Sequence, residues 1–80
     1  MDMNNSTKTA LAIIEQRENE NNEPAYALWV EIYNGVTAFD LTPEQMQREL
    51  NAGVAAGYLE KQRGLNGDIY LRGNGEQSTI

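Results

Sequence analysis

Apolar residues recur at every third or fourth position in three separate stretches of the chain, and this spacing predicts three amphipathic helices. The first helix is expected to begin at Ser6 or Thr7 and to end in the polar residues 15–18. Its apolar positions are Ala10, Leu11, Ile13 and Ile14. Residues 19–23 (NENNE) contain no apolar group and are expected to form a solvated connector.

The second predicted helix is apolar around more of its circumference than a surface helix requires. It is expected to start at Pro24, whose fixed φ suits a first helical turn, and to end at Asn34-Gly35. Its apolar residues are Ala25, Leu28, Trp29 and Ile32 on one face and Tyr26, Val30 and Tyr33 on the adjoining face. The segment is therefore either the central core helix or a helix that packs partly against a second subunit. Trp29 is accordingly a core residue with its indole N–H bonded at the boundary or, like Tyr33, an anchor of a protein interface.

The third predicted helix has the clearest start signals in the chain. Thr42 supplies a capping hydroxyl, Pro43 occupies the first helical position, and Gln45 completes a capping box. The apolar face is made by Met46, Leu50 and Val54, with Gly53 and Gly57 beside them. Gly57 marks the expected end of the helix, because glycine readily adopts the left-handed conformation that closes many helices.

After Gly57 the spacing changes to that of strands, and this change predicts a folded-back ribbon. Residues 58–63 alternate loosely, Asn66-Gly67 is a strong hairpin-turn dipeptide, and residues 69–72 are rich in strand formers. Residues 36–39 (VTAF) are also β-prone and are expected to add a third strand to the ribbon.

The sequence is compatible with two registers of strand pairing in the ribbon. A two-residue turn at Asn66-Gly67 pairs Leu65 with Asp68. A three-residue loop over residues 66–68 pairs Leu65 with Ile69 instead. The longer loop brings one apolar set onto a single face, namely Leu59, Leu65, Ile69 and Leu71. Burial of that face favours the longer loop, whereas the Asn-Gly dipeptide favours the shorter one.

The segment 42–72 resembles the second half of a winged helix-turn-helix domain of the MarR-like kind. The resemblance rests on a helix that ends in A-G-Y-L-E-K and then runs into a turn-separated ribbon. It implies an α+β fold, a small winged-helix domain with three helices and a C-terminal β-wing of two or three strands. It also implies that the helix over residues 42–56 lies in the major groove of DNA.

Composition limits the chain to one small domain without the usual chemistry of enzymes. The 80 residues suit a single domain over residues 6–73, with a disordered segment, 1–5, before it and a flexible tail, 74–80, after it. Cysteine and histidine are both missing, which removes thiolate and imidazole catalysis and the common zinc sites. We therefore expect no catalytic residue, no metal and no cofactor. No apolar run reaches membrane-spanning length and no signal peptide opens the chain, so a cytoplasmic protein is expected.

Double-stranded DNA is the first partner that the resemblance implies. The third helix would present four residues to the groove, namely Gln45, Gln47, Arg48 and Asn51. Their amide and guanidinium groups are suited to reading adenine and guanine. Lys61, Arg63 and Arg72 would stand on the wing against phosphate or the minor groove. The expected function is that of a small DNA-binding transcriptional regulator of phage or bacterial type.

The charge balance favours a second interpretation. Twelve acidic and six basic residues give a formal net charge of −6, whereas DNA-binding surfaces are normally basic. DNA binding by this chain therefore predicts a homodimer, formed through the first helix or the aromatic face of the second. The alternative is an acidic protein-interaction module of the same fold, an adaptor or inhibitor of host machinery that mimics nucleic acid. Its acidic strip would be Glu15, Glu18, Glu20 and Glu23, with Trp29 or Tyr33 as the anchor.

Overall fold

A computed structural model describes residues 3–21, 25–65 and 67–73, which form three α-helices, one 3₁₀ turn and three strands. In chain order the elements are α1 (Asn5–Asn21), β1 (Tyr26–Leu28), α2 (Trp29–Val36), the 3₁₀ turn (Thr37–Phe39), α3 (Pro43–Ala55), β2 (Leu59–Gly64) and β3 (Gly67–Arg72). The strands form one antiparallel sheet in the order β1-β3-β2. This α+β arrangement confirms the predicted fold class and is compatible with a small winged-helix-like domain.

The core lies between the three helices and one face of the sheet. Ala27 of β1 is paired directly with Tyr70 of β3, and both side chains are fully buried. Leu59 of β2 is buried on the same face. The helices contribute the other core residues, namely Ala10, Ile14, Ile32, Val36, Met46 and Leu50. The apolar face predicted for α3 is therefore the face that it buries.

Both ends of α3 are held by local hydrogen bonds that the sequence predicts. At its start the Thr42 hydroxyl accepts the Gln45 N–H at 3.1 Å, and the Gln45 side chain accepts the Thr42 N–H at 2.9 Å. At its end Gly57 has a φ of 90°, and the Tyr58 N–H donates to the Gly53 carbonyl at 2.9 Å. These are the contacts of a capping box and of a Schellman closure. The helix stops at the predicted glycine, and the chain continues directly into β2.

The region between α1 and α3 differs from the sequence prediction. Helix α1 does not end at residues 15–18 but continues to Asn21, and β1 occupies positions that the sequence predicts to be helical. Pro24, the expected start of the second helix, lies outside the described residues. Helix α2 begins only at Trp29, because the Glu31 side chain accepts the Leu28 N–H at 3.0 Å and caps the helix there.

The expected third strand at residues 36–39 is also wrong. Helix α2 ends at Val36 and the 3₁₀ turn follows it, so this segment is helical. The third strand of the sheet is β1, which pairs with β3 in the register Tyr26 to Leu71. The position of β1 in the sheet is decided by pairing with a strand more than forty residues away in sequence. Local strand propensity carries no information about such a contact.

Two ion pairs hold the C-terminal half of α1 against the rest of the domain and explain its length. Arg17 pairs with Glu31 of α2 and also donates to the Tyr26 carbonyl at 2.8 Å. Glu18 accepts from the Arg72 guanidinium of β3 at 2.9 Å. Both ion pairs join residues that are distant in sequence, so the spacing of apolar residues does not reveal them.

The hairpin adopts a register that neither predicted alternative contains. Gly64 pairs with Gly67, so the connection is two residues long and begins at Leu65. Only one set of alternate residues in β3 can face the core, and the set that does so contains Tyr70. Its apolar neighbours in β3 therefore face away from the helices. The expected burial of Leu65 is wrong, because this side chain is fully exposed at the tip of the hairpin.

Helices α1 and α3 approach closely because a carboxylate and a glycine of α3 face the start of α1. The Glu49 carboxylate accepts the Ser6 N–H at 3.1 Å and the Ser6 hydroxyl at 2.7 Å, which satisfies one of the free N–H groups at the start of α1. Gly53, one turn later, lies against Thr7, and a Cβ at position 53 would clash with the Thr7 hydroxyl. Ser6 and Thr7 are both fully buried.

Gly53→Ala should destabilise the domain, although alanine is the better helix former. The new methyl group would overlap Thr7, and overpacking of this kind costs roughly 1–3 kcal/mol against a gain of about 1 kcal/mol in helix propensity. Urea denaturation measures the change, and Ala52→Gly on the exposed side of α3 reports the propensity effect alone. A Gly53→Ala variant more stable than the parent would show that the two helices lie further apart.

The Arg17–Glu31 pair should make the domain less stable in acid. The hydrogen bond from Arg17 lowers the pKa of Glu31, the Leu28 N–H adds to this effect, and partial burial opposes it. Because the folded-state pKa lies below the ordinary value of 4.5, the stabilisation is present above that pH and is lost as the pH falls through the lower value. Glu31→Gln should therefore flatten the fall in unfolding free energy between about pH 5 and pH 3. Urea denaturation at several pH values tests this, and a slope equal to the parent's would contradict it.

Candidate nucleic-acid interface

The solvent-facing side of α3 carries two of the predicted base-reading residues. Arg48 and Asn51 are exposed there, and Glu44 lies one turn before Arg48 on the same side. Gln45 is exposed as well, but its side chain is the partner of Thr42 in the capping box. The helix therefore offers one guanidinium and one exposed amide group outside the capping box, with a carboxylate beside them.

Gln47 differs from the other predicted readers because its amide group is used inside the domain. Its oxygen accepts the Trp29 indole N–H at 2.9 Å, and its nitrogen donates to the Tyr70 hydroxyl and to the Asn51 side chain, each at 3.1 Å. The half-buried side chain thus links α2, α3 and β3. We call this set of contacts the Gln47 bridge. Base reading by Gln47 would require these bonds to break, so its contacts are those of a structural residue.

Lys61 and Arg63 stand on the face of the hairpin that also carries Tyr70, which is the face towards the helices. Lys61 is directly opposite Tyr70, and Arg63 is directly opposite Asp68. The Asp68 carboxylate is 3.5 Å from the Lys61 ammonium group and forms an ion pair with it. Because Tyr70 is bonded to Gln47, these two exposed cations belong to a strand pair that is tied to α3.

Arg72 is separated from the other predicted DNA contacts by its ion pair with Glu18. The hydrogen bond between them raises the pKa of Arg72 and lowers the pKa of Glu18. The acidic strip predicted on α1 is divided by the same contact, since Glu15 and Glu20 are exposed while Glu18 holds Arg72. Glu23, the fourth predicted member of the strip, lies outside the described residues.

The two predicted interface aromatics contact each other and the core. The rings of Trp29 and Tyr33 stack with centroids 5.5 Å apart and planes 14° apart. Both side chains are half-buried and pack against the core cluster. The indole N–H of Trp29 is bonded to Gln47 at the boundary. These contacts favour the core interpretation of Trp29 over an interface anchor.

An apolar surface on the other face of the sheet is not predicted by the spacing of residues in the sequence. Strand pairing sets Tyr26 beside Leu71 and Leu28 beside Ile69 on that face, and we call these four residues the outer sheet face. Tyr26 is 46% exposed, and fully exposed Leu65 stands at one end. A groove of about 300 Å³ is lined by Tyr26, Leu28, Gly64, Leu65 and Ile69. Its residues are visible in the sequence, but only the true hairpin register shows that they share this face.

Neither a metal cluster nor a spanning helix is found in the described ranges 3–21, 25–65 and 67–73. There, no three side chains among His, Cys, Asp and Glu are grouped so as to hold a metal ion. None of the helices in those ranges is long and apolar enough to cross a bilayer.

No protein-family model, curated protein or solved structure matches the chain.

Gln47→Leu should lower the free energy of unfolding by roughly 1–3 kcal/mol, because it leaves the Trp29 N–H and the buried Tyr70 hydroxyl without their partner. Urea denaturation followed by the fluorescence of the single tryptophan measures this. Asn51→Ala, which removes an exposed partner of the same glutamine, is the matched control and should change stability by less than about 0.5 kcal/mol. Equal stability of Gln47→Leu and the parent would mean that the Gln47 bridge does not hold the elements together.

Proposed function

We propose that the chain is a small winged-helix DNA-binding protein whose contact surface is the outer side of α3 together with the β2–β3 hairpin. The observation that supports this most is the Gln47 bridge between α3 and β3. It holds the helix that carries Arg48 and Asn51 against the hairpin that carries Lys61 and Arg63. A surface held in this way loses little conformational freedom when a duplex binds.

The four proposed contact residues have different roles in binding the duplex. Arg48 on α3 is placed to bind guanine or phosphate through its guanidinium fork, and the Asn51 amide is suited to adenine. Lys61 and Arg63 on the hairpin contact the phosphate backbone, which positions the domain on the duplex without reading sequence. The biological role we assign to this binding is transcriptional regulation.

The formal net charge of −6 overstates the negative charge near this surface. Glu49 of α3 turns towards α1, where it binds Ser6, so its charge lies away from Arg48. Glu44 and Asp68 do stand beside the four contact residues, and they weaken the attraction to phosphate. Binding as a dimer, which adds the contacts of two copies on one duplex, is therefore part of the proposal.

A mobility-shift assay on a mixed-sequence duplex at low salt tests the proposal. The parent should shift the duplex, and Arg48→Ala should weaken binding several-fold, because one positive charge that contacts the duplex is lost. The combined Arg48→Ala, Lys61→Ala, Arg63→Ala variant should abolish the shift. Lys8→Ala, which removes one positive charge from the exposed side of α1, is the control for net charge and should bind nearly as the parent does.

Two results would contradict the proposal. One is a parent protein that leaves the duplex unshifted at micromolar concentration and low salt. The other is a triple variant that binds as tightly as the parent while circular dichroism shows both to be folded.

A protein-interaction module is the second candidate function, and the outer sheet face favours it. This face combines exposed Tyr26 and Leu65 with an apolar groove, and exposed apolar surface of this kind often marks a site of protein contact. Glu15 and Glu20 add exposed negative charge on α1 for a basic partner. Absence of DNA binding in the assay above would make this candidate the leading one.

A further inference from the structure

Strand β1 forms one edge of the sheet and has the polar backbone groups of an open edge. It is three residues long and pairs with β3 on one side only. In an antiparallel pair, successive residues alternate between bonding to the neighbouring strand and pointing away from it. The Leu28 N–H and the Tyr26 carbonyl, two residues apart, are bonded to side chains of other elements and so lie on the open side.

An ion pair covers both of these groups at once. Arg17 donates through Nη1 to the Tyr26 carbonyl at 2.8 Å, and Glu31 accepts the Leu28 N–H through Oε1 at 3.0 Å. The two side chains bind each other as well, with Nη1 2.9 Å from Oε1 and a second contact between Nη2 and Oε2. The pair therefore presents one donor and one acceptor to the edge, which is what the backbone of a neighbouring strand would present.

We propose that the Arg17–Glu31 pair takes the place of a fourth strand and thereby prevents two copies of this chain from pairing through β1. An uncovered edge is a template for another strand, and two identical edges can pair antiparallel about a two-fold axis. The outer sheet face next to this edge is apolar, with Tyr26 and Leu28 alternating onto it, so pairing would also bury that surface. The other edge strand, β2, carries charged residues at Glu60, Lys61 and Arg63, which discourage pairing there.

Two variants distinguish the effect of the ion pair itself from the effect of its contacts with the β1 backbone. The charge swap Arg17→Glu, Glu31→Arg keeps an ion pair but removes the donor to Tyr26 and the acceptor for Leu28. Glu31→Gln does the reverse, because the charge is lost while an oxygen still accepts the Leu28 N–H and Arg17 still reaches Tyr26. A matched control is the swap Glu18→Arg, Arg72→Glu, which reverses the other ion pair of α1 without touching the β1 edge.

Sedimentation equilibrium of these variants, each compared with the parent, tests the proposal. At about 100 µM the swap at residues 17 and 31 should raise the weight-average mass roughly 1.5-fold or more over the parent's, in a concentration-dependent way. Glu31→Gln and the control swap should match the parent. Amide hydrogen exchange adds a local measurement, since dilution of the swap should make the Leu28 N–H exchange faster than in the parent.

Arg17→Met removes the donor to Tyr26 together with the ion pair and leaves Glu31 to accept the Leu28 N–H. It is measured beside the swap in case the swap does not fold. It too should self-associate, with near-ultraviolet circular dichroism showing that the packing of its aromatic side chains is retained. The proposal is overturned if folded Arg17→Met and the folded swap both keep the parent's mass. It is also overturned if Glu31→Gln associates as strongly as they do, because loss of charge would then suffice.

Discussion

The amide group of Gln47 is the contact on which the arrangement of α2, α3 and the hairpin depends. It satisfies the indole N–H of Trp29 and the hydroxyl of fully buried Tyr70 from a single side chain. A buried polar group left without a partner costs about 1–3 kcal/mol, so orientations of α3 that miss either partner are disfavoured. Apolar packing brings the helix to the sheet, and this polar contact then fixes its rotation and its distance from β3.

The same contact divides α3 between structural and surface residues. With position 47 turned inward, Arg48 and Asn51 fall on the solvent side of the helix. The carboxylate of Glu49 turns to the opposite flank, where it binds the start of α1. Along α1, the Arg17 and Glu18 ion pairs serve the fold in a similar way, holding the helix to α2 and to β3. The exposed charged residues are distributed unevenly: α1 carries Lys8, Glu15 and Glu20, whereas α3 carries Glu44 and Arg48 and the hairpin carries Glu60, Lys61, Arg63 and Arg72.

The sequence predicts α3 well because both of its ends are set by residues within one turn of it, at Thr42 and Gly57. It does not predict β1, because three residues with helical spacing become a strand only through pairing with β3. The longer-loop register fails for a related reason: it requires Ile69 and Leu71 to face the core, whereas the residue of β3 that does so is Tyr70, which binds Gln47. In the candidate site, residue types and helical spacing locate the exposed position of Arg48. They do not show which polar side chains are already hydrogen-bonded to distant elements of the domain.

The most direct measurement of the Gln47 bridge uses the indole N–H of the single tryptophan, which gives one resolved signal in a ¹H–¹⁵N NMR spectrum. If the bridge is formed in solution, this proton exchanges slowly with solvent and shows nuclear Overhauser contacts to the Gln47 side chain, and the ring of Tyr70 shows contacts to the same glutamine. A rapidly exchanging indole proton without these contacts would contradict the account, because α3 and the hairpin would then lack the link that sets them side by side.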